Sequence, residues 1–218
     1  MSNLIRKLFL INLDFNILLL AIFFLPFGNK FFLPILFFWI CLVLFSYIQN
    51  KDFSFKRKFG LLIIPIVFYL FLTLRLLFEC GNQEIGSDLL MKFYLILVPI
   101  LFPYYREIYK SNFDKYFWSL FWGCFAVSTF YLLSALYHSI SYVGGVLKFN
   151  PVPEYGWDNY FIGYKLSFLL HPSYFSLLIL VALLFIGIRS WKNIKKYKKI
   201  LLVIIIIQLV LTLILIQS

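Results

Sequence analysis

The chain has 218 residues, 63% of them hydrophobic and 13% charged, and it carries 28 Phe, 15 Tyr and 5 Trp. A soluble globular domain has about a quarter of its residues charged, so this composition excludes one, as it excludes disordered and collagen-like chains. The net charge of +11 does not read as a nucleic-acid surface, because the 20 Lys and Arg form short clusters between apolar runs.

A bilayer core about 30 Å thick is crossed by roughly 20 apolar residues of helix. Seven runs approach that length, at residues 8–27, 31–48, 59–78, 89–104, 116–137, 166–188 and 200–218. Lipid offers no hydrogen-bond partner to an open backbone, so each run is predicted to be a helix, and continuous rather than alternating hydrophobicity excludes a barrel. The fold class is therefore an all-α polytopic membrane protein with about seven transmembrane helices in a single domain over residues 1–218. The first run lacks a small-residue cleavage site and is read as a retained span rather than a signal peptide.

Orientation follows from the alternate connections, because short loops rich in Lys and Arg stay in the cytoplasm. One set holds fifteen of the twenty cations: Arg6 and Lys7; Lys51, Lys56, Arg57 and Lys58; Arg106, Lys110 and Lys115; and the six between Arg189 and Lys199. The other set holds Lys30, Arg75, Lys92, Lys148 and Lys165. The N-terminus is accordingly placed in the cytoplasm and the end of the chain at Ser218 outside, as in a multi-pass membrane protein.

Three Cys, at positions 41, 80 and 124, make no disulfide framework, and two His without a carboxylate or Cys cluster make no metal site, so no metal or other cofactor is expected. Asp14 in the first span is read as the partner of Lys7 on the same helix face. Candidate binding residues lie at the outer ends of spans. Arg75, four residues before Glu79, has a planar fork suited to a phosphate, and Lys92 follows Asp88 with the same spacing. The segment 138–165 is the long outer loop, mixing Tyr142, Tyr155, Trp157, Tyr160 and Tyr164 with Gly, Pro and carboxylates, a composition suited to sugars and equally to a membrane interface. Pro172 fits the first position of the sixth helix, which puts His171 at its N-cap and leaves the N–H groups of Ser173 and Tyr174 to meet an anion beside Lys165.

The start of a Leu-rich helix at Asp88, Lys92 and Pro99, the aromatic outer loop, and His171-Pro172-Ser173-Tyr174 followed by a Lys-rich turn resemble the integral-membrane O-antigen ligases and O-antigen polymerases, over nearly the whole chain. That resemblance implies transfer of a glycan from a polyprenyl diphosphate carrier to an acceptor sugar, lipid A core in the ligases, without a metal. It implies partners among lipid-linked glycans and membrane lipids, and none among nucleic acids. The family's Ser-Arg step and its later outer loop with an essential His have no counterpart up to Ser218, so the chain is expected to be the N-terminal part of a longer protein. No catalytic residue is assigned, and the expected carrier site comprises Arg75, Lys92, Lys165, His171, Ser173 and Tyr174. A non-enzymatic transporter or flippase for lipid-linked oligosaccharide is the competing reading.

Overall fold

The computed structural model describes residues 2–50, 67, 70, 71, 112–143, 145–152, 159–190 and 196–217. These are mostly helical. In chain order they form α1 (Ser2–Phe24), a 3-10 turn (Leu25–Phe27), α2 (Asn29–Asn50), α3 (Phe113–Ser139), the strands β1 (Ile140–Val143) and β2 (Val146–Phe149), the short α4 (Gly163–Leu166), α5 (Pro172–Phe185), a π-helical turn (Ile186–Ser190) and α6 (Lys196–Gln217). Two helices, Phe113–Ser139 and Lys199–Gln217, are long and apolar enough to cross a membrane, and Leu13–Phe27, Asn29–Val43 and Pro172–Ile188 are shorter apolar helices. The expected run at 89–104 lies outside the described residues, as does nearly all of 59–78.

The chain divides into two compact units, one of Met1–Leu10 and Phe37–Phe113, the other of Ile11–Leu36 and Asp114–Ser218. In the first, Trp39, Ile40 and Val43 are buried. The second unit can be followed in detail, because contacts fix the direction of each helix. Phe15 packs edge-on against Tyr116 at 5.7 Å, and the Ser119 hydroxyl donates to the Leu19 carbonyl at 2.6 Å, so α1 and α3 run parallel. Phe117 stacks on Phe185 at 4.5 Å while Tyr131 meets Phe175 at 5.3 Å, so α5 runs antiparallel to α3. Tyr131, Phe121 and Phe175 are wholly buried in the core these helices share with α6.

Gln208 of α6 joins that core to α3 by donating from Nε2 to Thr129 Oγ1 at 2.8 Å and Ser128 Oγ at 3.0 Å. Both hydroxyls in turn donate to the Phe125 carbonyl, so the network is closed by its own helix. A single polar link between apolar helices fixes their rotation and register. Gln208→Leu is expected to lower stability by about 1 kcal/mol, since interhelical hydrogen bonds of this kind contribute roughly 0.6–2 kcal/mol, and thermal unfolding in detergent would register the shift.

Three local features refine the sequence reading. The apolar run over 166–188 becomes its long helix only at Pro172, the first helical position the sequence also indicated, because the residue before a proline is held in extended backbone: His171 has ψ 135°, and Ser167 already leaves α4 at φ −99°, ψ 62°. Ile140–Val143 and Val146–Phe149, in the segment expected to be loop, pair antiparallel across Gly144 and Gly145, with Gly145 at φ +84°. The chain turns after the first apolar helix at Gly28, whose φ of +88° and whose 2.5 Å approach of a notional Cβ to the Leu169 carbonyl both require glycine.

Candidate functional site

The helix directions place two sets of residues at opposite ends of the second unit. One end holds the beginnings of α3 and α6, with Asp114, Lys115 and Lys199, and the Lys115 ammonium lies 5.2 Å from the centre of the Phe15 ring. The other end holds the hairpin, α4 and the start of α5, where His138, Tyr142, Lys148, Tyr164, Lys165 and Tyr174 are exposed. His138 stacks on Tyr160 at 5.5 Å and meets Tyr137 edge-on at 5.5 Å.

Around the start of α5 the geometry is specific. His171 is the N-cap, and its Nδ1 accepts a hydrogen bond from the Ser173 N–H at 3.3 Å. A ring nitrogen that accepts carries no hydrogen, so the neutral imidazole carries its hydrogen on Nε2. Nε2 lies 2.6 Å from the Tyr164 hydroxyl and therefore donates to it. Tyr164 and Tyr174 flank the imidazole, at ring separations of 5.0 and 5.6 Å.

This wiring decides what each group can do. Both nitrogens of His171 are engaged, which fixes the orientation of its ring. Tyr164 accepts from His171 and keeps its own hydrogen for another acceptor, next in sequence to the exposed ammonium of Lys165. Of the two N–H groups expected to meet an anion, those of Ser173 and Tyr174, that of Ser173 is already bonded to His171 Nδ1.

Of the residues expected to form the site, Lys165, His171, Ser173 and Tyr174 are brought to one end of the unit, while Arg75 and Lys92 lie outside the described residues. The sequence reading counted Tyr164 among loop aromatics and did not assign it; its position seven residues before His171, across a proline-marked break, was the available signal. Asp14 is buried at 2% exposure, and the side chain of Lys7, its expected partner, lies outside what is described. Among the described residues no group of three or more His, Cys, Asp or Glu has a metal-binding arrangement. No protein-family model, curated protein or solved structure matches the chain.

Proposed function

We propose that the chain is a multi-pass protein of the bacterial inner membrane, with seven spans and a cytoplasmic N-terminus, that transfers glycan from a polyprenyl diphosphate carrier to an acceptor sugar in the manner of the O-antigen ligases. The membrane part of the reading is supported by α6, an apolar helix of which only 28% is buried across its most hydrophobic window. The core helix of a soluble protein hides most of its surface, whereas Ile200, Ile204, Ile207, Leu211 and Ile214 present theirs outward. Lipid is the solvent that such a face requires.

The observation that carries the transfer reading is the His171-oriented Tyr164 hydroxyl at the aromatic end of the unit, with the exposed Lys165 next to it in sequence. An ammonium and a directed O–H at headgroup depth suit a lipid-linked phosphate, and the neighbouring Tyr and His rings suit the apolar faces of sugars. A polymerase would use the same carrier contacts with a different acceptor.

The test follows transfer from a labelled polyprenyl-diphosphate glycan in membranes carrying the protein from its complete coding sequence. The double variant Lys165→Ala, Tyr164→Phe is expected to slow transfer at least about tenfold, the loss of one charge-assisted hydrogen bond of roughly 1.5–3 kcal/mol. Transfer at the unaltered rate would remove both residues from the carrier site, and no transfer by the intact protein would remove the activity itself.

A further inference from the structure

The stretch from Arg189 to Lys199 holds six cations, Arg189, Lys192, Lys195, Lys196, Lys198 and Lys199, and no carboxylate. Retention of basic connections on one side of the membrane accounts for cations in the turn between α5 and α6. It does not account for those inside the helix. α6 opens at Lys196, so Lys196, Lys198 and Lys199 fall in its first turn, which contains no acidic residue. Cations there face the positive end of the helix dipole, the end at which carboxylates are favoured. The first turn of α3 follows that rule with Asp114. A lysine-rich first turn is favoured instead by an anion held beside it.

Depth identifies the anion. Pro172 and Ser173 at the start of α5 line one cavity with Ile216 and Gln217 at the end of α6, so α6 runs antiparallel to α5 and parallel to α3. Gln208 bonds Ser128 and Thr129 close to the middle of α3, which gives the two helices a common level. Lys196 comes twelve residues before Gln208 and Lys115 thirteen before Ser128, so at about 1.5 Å per residue they stand about 18 and about 20 Å from that level. The hydrocarbon core of a bilayer ends about 15 Å from its centre and the headgroup layer about 20–22 Å from it. The lysines of both helix starts therefore share the headgroup layer. Lys115 is exposed there, its ammonium 5.2 Å from the centre of the Phe15 ring, beside the exposed Asp114.

We infer that the start of α6 binds the headgroup phosphates of anionic phospholipids, with Lys196, Lys198 and Lys199 as its contacts and Lys115 adding a charge at the same depth. The ammonium of a lysine pairs with phosphate as a point charge, and several of them beside a span select anionic over zwitterionic lipid. A soluble acidic partner would not require two separate helices to bring their cations to the depth of lipid phosphate. The inference rests on the membrane placement proposed above, and on neither the orientation of the spans nor glycan transfer.

The test titrates the complete chain, in an uncharged detergent, with phosphatidylglycerol or phosphatidylcholine of the same acyl chains, and counts bound lipid by native mass spectrometry. Phosphatidylglycerol is expected to bind saturably and at least about tenfold more tightly, since each cation near an anionic lipid contributes a factor of about five. Lys196→Gln, Lys198→Gln and Lys199→Gln should each weaken it about fivefold, and the triple variant by well over tenfold. Lys199→Arg keeps the charge and should bind like the unaltered protein. Lys148→Gln, at the opposite end of the unit, makes the same change in net charge and should leave binding unaltered. Equal affinity for the two lipids, an equal loss with Lys148→Gln, full binding by the triple variant, or inorganic phosphate bound as tightly as phosphatidylglycerol would each overturn the inference. Recovery of the protein in the aqueous phase on detergent phase separation would remove the membrane placement, and the inference with it, whereas a detergent-phase protein that fails the titration overturns the inference alone.

Discussion

Gly123→Leu is expected to yield no monodisperse protein after extraction into detergent, and Gly123→Ala to lower the thermal unfolding midpoint by several degrees. A Cβ built at Gly123 runs into the Phe23 carbonyl oxygen of α1, with the carbonyl carbon at 3.0 Å and the Phe23 Cα at 3.2 Å. All three atoms are backbone, so no side-chain rotation relieves the collision. The helices cannot simply slide apart either. One turn earlier the Ser119 hydroxyl holds the Leu19 carbonyl at 2.6 Å, and Phe15 is packed against Tyr116 below it. Forcing a single methyl into such a contact costs about 1–3 kcal/mol, and a leucine far more, since small residues at helix contacts are what let membrane helices approach.

Gly187→Ala is the control for that experiment. Nothing lies within 4 Å of a Cβ at Gly187. Its replacement removes a flexible residue without a clash, and the expected outcome is an unchanged or slightly raised midpoint. If Gly123→Ala melted like the unaltered protein while Gly187→Ala did not, the packing of α1 on α3 described above would be incorrect.

How much of this was legible beforehand depended on the kind of signal. Helices α1, α2, α3 and α6 were visible because continuous apolar runs need no knowledge of partners, and the observed limits Ser2–Phe24, Asn29–Asn50, Phe113–Ser139 and Lys196–Gln217 extend or shift the expected runs by a few residues. Hydrophobicity could not locate the start of α5, where Leu166 to Leu170 are mostly apolar yet not helical beyond α4; the backbone restriction imposed by Pro172 decides it. The hairpin was masked by the same composition. Ile140 to Val143 and Val146 to Phe149 read as loop beside Tyr-rich sequence, although the Gly144-Gly145 pair between two mostly apolar four-residue runs is a hairpin signal.

At the candidate site the local chemistry was readable and the distant chemistry was not. Pro172 at the first helical position was enough to place His171 at the N-cap. The engagement of its second nitrogen by Tyr164, which fixes the orientation of the imidazole, required the fold of α4 against the start of α5.

The second large effect expected is an all-or-none labelling pattern. In a background with Cys41, Cys80 and Cys124 replaced, a membrane-impermeant maleimide added to intact spheroplasts should modify Leu147→Cys completely and leave Lys195→Cys unmodified until the membrane is opened. The sequence argument is the concentration of cations between Arg189 and Lys199, which short connections retain on the cytoplasmic side. The coordinates contribute an independent constraint. Parallel α1 and α3 with antiparallel α5 put Lys115 and Lys199 at one end of the second unit, and Lys148 and Lys165 at the other. An apolar α3 of 27 residues is about 40 Å long, enough to separate those ends by a full bilayer. Leu147 is 69% exposed at the hairpin, so access there is limited by the membrane rather than by packing. Modification of Lys195→Cys in sealed spheroplasts with Leu147→Cys spared would invert the orientation, and with it the side of the membrane on which the Tyr164 and Lys165 contacts could meet a lipid-linked glycan. Equal modification of both would mean that α5, the helix between them, does not cross the bilayer, and the outward faces of α5 and α6 would not be lipid-facing.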